Sequence, residues 1–389
     1  MNRWPRRTLG ELTSTITKGT TPQTLGRQYS PEGVPFLRAE NLQGGSVFVD
    51  SETLRIDTET HRLLVRSVIR PNDVLLSIAG TIGRAGIVSD DAPEMNCNQA
   101  VAIIRLDPGQ ILPAFLLLWL KTSEAQSQMS GAQVTQTVSN LSLGQIKTLR
   151  PPVPSLAEQE RIVKLLAEVD ELRKLRAQAD RRTADLIPAL FHDMFGDPVT
   201  NPRRWRKTDL GQLCTLVNGA PFKPSDWNGS GLPIVRIQNL NDSTKPFNYT
   251  SKELPEKFRV RPGDILLSWS GTPGTSFGCF HWKGPEGWLN QHIFNVKLQP
   301  GLDREFFIQS VNVRLNDLIA RAHGGVGLQH VTKGVLNAVP VLVPPLPMQQ
   351  EFAKRVAETR ELEAEQAASR ERLDALFQSM LHRAFRGEL

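Results

Sequence analysis

RPNDVLLSIAGTIG (residues 70–83) returns 191 residues later as RPGDILLSWSGTPG (residues 261–274). The identical positions of the first copy are Arg70, Pro71, Asp73, Leu75, Leu76, Ser77, Gly80, Thr81 and Gly83. The agreement extends outward, because VPFLRAENL (34–42) matches LPIVRIQNL (232–240), Asn98-Gln99 matches Asn290-Gln291, and PSLAEQ (154–159) matches PPLPMQ (344–349). A solenoid unit repeats every 20–50 residues or so. The longer period here indicates a duplicated domain.

Each copy consists of a lobe followed by a polar helical segment. The predicted boundaries are residues 1–153 and 201–343 for the two lobes, and residues 154–200 and 344–389 for the helical segments. A lobe of about 150 residues is the size of one domain, and the segment after it has the length of one long helix. Two copies of one surface suggest a target with two parts.

Composition indicates a soluble globular protein, since 39% of the 389 residues are hydrophobic and 22% are charged. MNRWPRRTLGEL lacks the apolar run of a signal peptide, and the longest apolar run, ILPAFLLLWL (111–120), is too short to span a bilayer. We therefore expect a cytoplasmic protein that does not enter a membrane. Cys97, Cys214 and Cys279 are isolated in the sequence, which predicts buried thiols and neither disulfides nor a zinc site.

The basic excess lies on the lobes. Residues 1–154 carry 15 Lys and Arg against 13 Asp and Glu, and residues 201–343 carry 17 against 10. The helical segments are slightly acidic, with 7 against 9 for residues 155–200 and 7 against 8 for residues 344–389. This division favours lobes that meet a polyanion and helices that meet protein. Mild basicity is also common in cytosolic proteins, so charge alone leaves nucleic-acid binding undecided.

Each lobe has the sequence pattern of a mixed α/β domain. In the first lobe, GVPFLRAENL, NDVLLSIAG, AGIVS and QAVAIIRL are short runs bounded by turn residues, which predicts strands. Residues 112–130 and 303–323 have helical periodicity. Polar loops with glycine follow them at 131–139 and 324–332, and we expect these loops at the surface.

The helical segments show the narrow apolar seam of a long two-helix contact. The residues predicted to pair the helices are Ile162, Leu165, Val169, Leu172, Ala179, Phe352, Val356, Leu373 and Met380. Glu363, Gln366 and Arg370 interrupt the second seam, so its centre is expected to be polar, and Pro188 predicts a kink or break near the end of the first helix. The alternative is that each helix packs separately on its own lobe.

The order of these motifs resembles the DNA-specificity subunit of Type I restriction-modification enzymes. The resemblance covers nearly the whole chain and rests on W-x-x-x-x-L-G-x-L near each lobe start (from Trp4 and Trp205), R-P-x-D-[VI]-L-L-S, the G-T-x-G turn, the PxPxxEQ-type helix entry, FHDMFGD (191–197) and LHRAFRGEL (381–389). It implies an α+β fold with two tandem α/β target recognition domains. It also implies that the two long helices pair as an antiparallel coiled coil with pseudo-two-fold symmetry.

No catalytic motif is recognisable in the sequence. Asn201-Pro202-Arg203-Arg204 lacks the second proline and the aromatic residue of an adenine methyltransferase turn. GTIGRAG (80–86) lacks the Gly-Lys-Ser/Thr ending of a P-loop, which favours a turn between strands. The histidines are scattered; His192 and His382 correspond across the repeat near helix ends, where a structural cap or a partner contact is favoured over a metal ligand.

DNA recognition needs groups that hold phosphates and groups that read base edges. The candidates of the first lobe are Lys18, Thr20, Thr21, Arg38, Asn41, Thr81, Arg84, Gln133 and Gln136. Those of the second lobe are Asn218, Lys223, Arg236, Asn239, Ser270, Thr272, Gln329 and His330. Arg38 and Asn41 are identical to Arg236 and Asn239, whereas residues that select different bases should differ. We therefore expect the shared residues to have scaffold or phosphate roles and the divergent loops to select sequence.

The helices have the length to act as a ruler. About 27 helical residues span about 40 Å, close to the 34–36 Å or so of one turn of B-DNA. An antiparallel pair would place the lobes on half-sites in opposite strands, with an unread spacer between them.

The sequence thus predicts a non-catalytic specificity subunit that binds double-stranded DNA. The resemblance implies two modification subunits as partners, which would bind S-adenosylmethionine, and restriction subunits, which would use ATP and Mg²⁺; no cofactor is expected in this chain. Two alternatives remain open. The chain could be a basic two-lobed scaffold for proteins, or an enzyme that binds a nucleotide at its glycine-rich turns.

Overall fold

The computed structural model describes residues 4–131, 140–242, 244–268, 278–322 and 332–389, with the side chains of 131, 241 and 316–322 excepted. The chain forms two compact units. The first comprises residues 1–176 and 369–389, and the second comprises residues 177–368. Each unit therefore contains one lobe together with parts of both helical segments. The boundaries predicted at 153/154 and 343/344 separate lobes from helical segments and do not mark this division.

The strands of the first lobe form two sheets. In chain order they are β1 (Thr13–Lys18), β2 (Val34–Leu37), β3 (Leu42–Gln43), β4 (Gly45–Val47), β5 (Arg55–Ile56), β6 (Val74–Ser77), β7 (Ala85–Ile87), β8 (Asn96–Cys97) and β9 (Val101–Leu106). A six-stranded sheet has the order β1-β9-β6-β7-β4-β3, and a three-stranded sheet has the order β5-β2-β8. The strand β6 is buried along its whole length, as its uninterrupted apolar sequence predicts.

Helices cover the first lobe. They are α1 (Thr58–Leu63), α2 (Pro113–Leu120), α3 (Ser123–Gly131) and α4 (Leu143–Thr148). The helical periodicity predicted over residues 112–130 appears as two helices, because the chain divides at Thr122. The hydroxyl of Thr122 donates to the carbonyl of Trp119 (2.7 Å) and accepts from the amide of Ala125 (3.2 Å), so it closes α2 and begins α3.

The long helices come next in the chain. They are α5 (Leu156–Ala184) and α6 (Leu186–Phe195), which a break at Asp185 separates. Pro188 has no amide hydrogen to donate to the carbonyl of Ala184, which accounts for the break. The break predicted from Pro188 is confirmed.

The second lobe has the same plan. Its elements are β10 (Arg206–Asp209), α7 (Leu210–Leu213), β11 (Cys214–Asn218), β12 (Leu232–Val235), α8 (Ile237–Asn241), β13 (Asn248–Thr250), β14 (Arg259–Val260), β15 (Ile265–Ser268), β16 (Gly278–His281), β17 (Gly287–Leu289), β18 (Ile293–Leu298), α9 (Arg304–Ala322), α10 (Lys333–Asn337) and β19 (Pro340–Val343), followed by α11 (Leu346–Ala384). Its sheets have the orders β11-β18-β15-β16, β13-β12-β17-β14 and β10-β19. Short 3-10 helices at Leu9–Glu11, Pro22–Leu25, Ala39–Asn41, Val65–Ser67, Pro224–Asp226 and Glu256–Phe258 complete the two lobes.

In the first unit, the start of α5 and the end of α11 lie antiparallel. The guanidinium of Arg161 donates to the carbonyl of Leu389 (2.9 Å), whereas Arg173, further along α5, pairs with the earlier residue Asp374 (2.6 Å). The guanidinium of Arg173 also lies over the ring of Phe377, 4.7 Å from its centroid. The alternative of two helices packed separately on their own lobes is therefore wrong for this unit.

The predicted pairing residues differ in burial. Ile162, Val169, Phe352 and Val356 are buried, Leu165, Ala179, Leu373 and Met380 are partly buried, and Leu172 is 51% exposed. Leu172 is thus wrong as a pairing residue. The buried stripe of α5 continues instead through Leu166, and that of α11 through Phe377 and Leu381. In α11 every residue from 357 to 376 is at least partly exposed, as the polar centre of its seam predicts.

Two equivalent glutamines attach the helices to the lobes. The side chain of Gln159 accepts from the amide of Leu112 (2.8 Å) and donates to the carbonyl of Pro154 (3.0 Å). Gln349 accepts from the amide of Asp303 (2.9 Å) and donates to the carbonyl of Pro344 (2.8 Å). Both side chains are buried, so these hydrogen bonds satisfy polar groups that water does not reach.

Candidate nucleic-acid interface

Four loops of the first lobe meet at one edge of its sheets. We call this the recognition edge and define it by residues 18–21, 38–41, 78–84 and 98–100. The register of the strands places them together, because Lys18 at the end of β1 pairs with Ala102 and Ser77 at the end of β6 pairs with Val101. The parallel pairing of β2 with β8 ends with Leu37 opposite Cys97.

The turn at Asn98–Ala100 holds the other loops. The amide of Asn98 donates to the carbonyl of Leu37 (3.0 Å), and the amide of Ile78 donates to the carbonyl of Ala100 (2.8 Å). The amide of Gly19 donates to the carbonyl of Val101 (3.3 Å). A Cβ on Gly19 would lie 1.8 Å from the carbonyl oxygen of Cys97, so this approach requires glycine.

The second lobe builds the same edge. The amide of Gly219 donates to the carbonyl of Ile293 (3.1 Å), and the amide of Asn290 donates to the carbonyl of Val235 (3.1 Å). A Cβ on Gly219 would lie 2.1 Å from the carbonyl oxygen of Asn290. The repeat therefore encodes one surface twice. Its counterpart in the second lobe is formed by residues 218–220, 236–239 and 290–292.

The shared asparagines are committed to the scaffold. The side-chain oxygen of Asn41 accepts from the amide of Arg38 (2.8 Å), and its NH₂ donates to the carbonyl of Phe48 (3.1 Å). Asn239 accepts from the amide of Arg236 (3.1 Å) and donates to the carbonyl of Lys245 (3.1 Å) in the same way. Each side-chain amide uses both its oxygen and its NH₂ group to close a turn. This favours the scaffold role that we expect for these residues over the reading of bases.

The shared arginines have different partners. The guanidinium of Arg38 pairs with the carboxylate of Glu40, and both side chains are largely exposed. The position equivalent to Glu40 is Gln238. The guanidinium of Arg236 instead lies over the ring of Trp227, 5.3 Å from its centroid. The ring attracts the cation but carries no charge that would neutralise it.

The remaining candidates of the first lobe lie on exposed or half-exposed loops. Lys18 and Arg84 are exposed, and Thr20 is half-exposed. The hydroxyl of Thr21 contacts the side-chain oxygen of Gln99. The carbonyl of Thr81 accepts from the hydroxyl of Ser77 (2.5 Å), which fixes the turn that presents Thr81 and Arg84.

In the second lobe, Asn218 and Lys223 are exposed. The amide of Lys223 donates to the carboxylate of Asp226 (2.8 Å), and this hydrogen bond is the main cause that lowers the pKa of Asp226. Six candidates lie outside the described residues: Gln133, Gln136, Ser270, Thr272, Gln329 and His330. For them the sequence prediction stands as it was.

The candidates chosen from the sequence do not include Gln99 and Gln291, which lie on the edges as well. Each follows the asparagine of the central turn, and Gln99 is exposed next to Thr21. The side-chain nitrogen of Gln291 lies 3.3 Å from the Nε2 of His292. The available signal was their position after a repeated asparagine, since an identical pair in two otherwise divergent loops marks the same place in both lobes.

The repeated R-P-x-D motif has a structural role away from the edge. The carboxylate of Asp73 accepts from the amide of Arg70 (2.8 Å) and pairs with Arg105 (2.6 Å). Asp264 accepts from the amide of Arg261 (2.9 Å) at the equivalent place. Asp73 precedes β6, whereas the recognition edge lies at its other end.

The cysteines are core thiols, as predicted. All three are buried and free. Burial raises the pKa of Cys97 and of Cys214 to about 12 and that of Cys279 well above its ordinary value. Thiols with such values are protonated at neutral pH and are weak nucleophiles.

His192 and His382 both lie in the last turn of a helix, α6 and α11 respectively, and both are exposed. A cationic side chain there interacts favourably with the helix dipole. Across the described parts of the chain, no group of three His, Cys, Asp or Glu is placed to hold a metal ion. The same parts contain no helix that is long and apolar enough to cross a membrane.

Comparison with known proteins identifies one family. Residues 1–180 and 202–368 match the model of the Type I restriction modification DNA specificity domain. The chain is 32% identical to the Type I restriction enzyme EcoBI specificity subunit of Escherichia coli over 186 residues, 46% of this chain and 38% of that protein. It is 23% identical to the StySPI specificity subunit of Salmonella potsdam over 92% of this chain and 82% of the relative.

Solved structures with the same fold cover the whole chain. A chain from a structural study of complex assembly and conformational transition of the type I R-M system matches with a TM-score of 0.69 at 21% identity, over 99% of this chain and 98% of that one. The S subunit of a Type-I restriction-modification system from M. genitalium matches with a TM-score of 0.52 at 16% identity, over 99% and 96%. The predicted α+β fold with two tandem recognition domains is confirmed.

Proposed function

The chain belongs to the family of Type I restriction-modification DNA specificity subunits, and on that premise we propose that it reads a two-part target in double-stranded DNA. Each recognition edge contacts one half-site, and the spacer between the half-sites is unread. The observation that carries this proposal is the duplicated edge, in which the residues that hold the backbone are shared and exposed residues differ. Identical frames with different exposed groups are what two readers of different base sequences need.

The frame and the exposed groups can be compared position by position. Gly19 and Gly219 make the same close approach, and Asn41 and Asn239 close the same turn. Immediately before the glycine, Lys18 in the first lobe corresponds to Asn218 in the second. A lysine gives a phosphate contact or a bond to guanine, whereas an amide offers a donor and an acceptor to a base edge.

Partner subunits perform the chemistry in this proposal. Two modification subunits bind S-adenosylmethionine and methylate adenine, and restriction subunits use ATP and Mg²⁺ to cleave DNA. This chain is the non-catalytic subunit that directs both activities to the target. Support comes from the relatives, which are named specificity subunits, and from the protonated state of the buried thiols.

Methyl-transfer assays test the division of labour. The purified chain should transfer no methyl group from S-adenosylmethionine to DNA, and the chain with its modification subunit should methylate adenine at one two-part sequence. Methylome sequencing of a host that carries both proteins identifies that sequence. Turnover by the chain alone would contradict the proposal.

An exchange of lobes tests whether the recognition edges are independent. Replacement of residues 1–150 by the equivalent lobe of a relative should change one half-site and preserve the other. A change in both half-sites would show that the edges do not read separately.

Two binding experiments separate the alternative functions. A protein scaffold would show no salt-sensitive binding to mixed-sequence duplex, even with the modification subunit present. A nucleotide-binding enzyme would be stabilised by ATP, GTP or S-adenosylmethionine in a thermal shift assay of the isolated chain, because ligands that bind only the folded state raise its stability.

A further inference from the structure

A cavity of about 580 Å³ opens on the first lobe beside the recognition edge. Its wall includes Gly83 and Arg84 from the edge turn, Gly44 and Gly45 from the β3–β4 hairpin, and Lys121 at the end of α2. Among the described residues, no acidic side chain lines it. Two cations therefore face a cavity whose described wall carries no negative charge.

Within the described residues, no carboxylate lies within 4 Å of the ammonium of Lys121 or of the guanidinium of Arg84. The side chain of Lys121 is exposed, but the protein around it lowers its pKa by desolvation, and the charges of Arg173 and Lys174 add to this effect. Asp170 on α5 opposes the effect without reversing it. An anion in the cavity would favour the charged form of the ammonium.

The hairpin keeps the space beside Lys121 open. Gly44 and Gly45 are the two central residues of the hairpin, with φ of 61° and 94°, which suits the type I′ turn that favours glycine. A Cβ on Gly45 would lie 3.1 Å from the Nζ of Lys121. A side chain there would crowd the ammonium, so glycine leaves room for a ligand.

The second lobe has no lysine at the position of Lys121. Lys121 corresponds to Asn312, because Phe115 and Phe306 occupy equivalent positions in α2 and α9. The side-chain oxygen of Asn312 accepts from the amide of Cys279 (2.7 Å), and its NH₂ donates to the carbonyl of Cys279 (3.0 Å). The amide is occupied by the fold and carries no charge. The lysine that lines the cavity is therefore specific to the first lobe.

We infer that Lys121 and Arg84 bind a backbone phosphate of the DNA whose bases the first recognition edge reads. This inference rests on the proposed function and adds a contact to it. Arg84 belongs to both the edge and the cavity, so a duplex on the edge brings its phosphates to the cavity mouth. Phosphate oxygens accept from guanidinium and ammonium groups, and such contacts position the duplex without selecting sequence.

The salt dependence of DNA binding tests the inference. The complex of the full chain with its modification subunit is titrated with a duplex that carries its target, at several salt concentrations. Lys121→Asn installs the residue of the second lobe and should make the slope of log K against log salt shallower by about 0.9, the value for one phosphate contact. At ~0.1 M salt this corresponds to binding that is weaker by roughly eightfold. Lys121→Arg keeps the charge and should restore the slope, and Arg84→Gln should reproduce the loss without touching α2.

Lys147→Asn is the matched control, because it removes one exposed lysine from the same lobe. Lys147 lies on α4 and is next to Gly10. Gly10 precedes the start of β1, and the recognition edge is at the other end of that strand. The control should retain the wild-type slope, and all variants should retain the wild-type target sequence. An unchanged slope in both Lys121→Asn and Arg84→Gln would overturn the inference and leave the proposed function intact. Absence of DNA binding by the wild-type complex would overturn both.

A small phosphate compound is the other source of the same chemistry. Inorganic pyrophosphate should not stabilise the chain beyond an equal ionic strength of chloride in a thermal shift assay. A saturable stabilisation that Lys121→Asn abolishes would show that the cavity takes a small ligand, and would overturn the assignment to DNA.

Discussion

Phe385, four residues before Leu389, packs against Phe115 of the first lobe, with ring centroids 4.8 Å apart. Phe195, at the end of α6, packs against Phe306 of the second lobe in the same way, at 4.9 Å. Each compact unit is thus completed by a phenylalanine from the end of a helical segment. In the first unit this segment is far from the lobe in the sequence, so residues near 385 complete a core that is built mainly from residues 9–169.

Phe385→Ala should destabilise the first unit by about 3–5 kcal/mol, because the side chain is 3% exposed and its removal leaves a cavity in the core. Urea unfolding of the full chain, followed by circular dichroism, measures the effect. Leu376→Ala on the same helix is the control, since Leu376 is 45% exposed and its loss should cost well under 1 kcal/mol or so. Equal effects of the two substitutions would show that the end of α11 is not part of the core.

A second prediction concerns the ion pair that joins α9 to α11. Glu305 is 11% exposed and accepts two hydrogen bonds from Arg360, at 2.7 and 2.8 Å, and one from Gln309 at 2.8 Å. Burial raises the pKa of Glu305, but contacts with His281, Gln309 and Arg360 outweigh it, so that the pKa lies below its ordinary value of 4.5. A carboxyl group with a lowered pKa stabilises the folded state above its unfolded pKa, and this contribution disappears as pH falls through the folded pKa.

Glu305→Gln should therefore cost roughly 2 kcal/mol at pH 7, the scale of hydrogen bonds to charged groups. The difference from wild type should shrink as the pH is lowered below 4.5. Thermal unfolding between pH 3 and 7, in steps of about one unit, measures both. Glu351→Gln on α11 is the control, because Glu351 pairs with Arg355 at the exposed surface. A pH-independent difference would mean that the charge of Glu305 is not what stabilises this contact.

The pair of Arg38 with Glu40 gives a third prediction, about DNA. Glu40→Gln installs the residue that the second lobe has at this position and removes the carboxylate that neutralises Arg38. With the guanidinium released, the complex should bind its target more tightly at low salt, and the slope of log K against log salt should steepen by up to about 0.9.

Glu158→Gln provides the comparison for this variant. It releases Arg161 on α5, which pairs with Glu158 at 2.8 Å and lies off the recognition edge. Fluorescence anisotropy with the same duplex should show no change for this variant. The same gain in both variants would reflect net charge and not the position of Arg38 at the edge.

The helices as a ruler give the fourth prediction. One heptad inserted between Leu172 and Ala179, together with one near Gln366, should lengthen the helices by about 10 Å, or about 3 base pairs. Both sites lie inside continuous helix, in α5 and α11. Methylome sequencing should then report the same half-sites with a longer spacer. An active complex that keeps its original spacer would show that the helices do not set the distance.

Much of the local structure was predictable from the sequence. The strands β2, β6, β7 and β9 follow the apolar runs between turn residues, and the break before α6 follows from Pro188. The pairing face of the helices was only partly predictable. Spacings of three and four residues permit two neighbouring apolar stripes on α5. Leu166 is buried, whereas Leu172, which the pattern predicted to pair, is 51% exposed. Which stripe is buried depends on the opposite side chains of α11, about 200 residues away in the chain.

The sequence by itself determined that the protein is a duplicated two-lobed molecule, because matching motifs in the same order in both halves need no knowledge of contacts. Tertiary structure decided which polar residues remain available for DNA. The side chains of Asn41 and Asn239 are hydrogen-bonded within turns. Lys121, which follows Arg84 by 37 positions in the sequence, lines the cavity beside the recognition edge together with Arg84. Sheet order is the physical reason, since strands far apart in the chain end at the same edge only when backbone hydrogen bonds pair them in register.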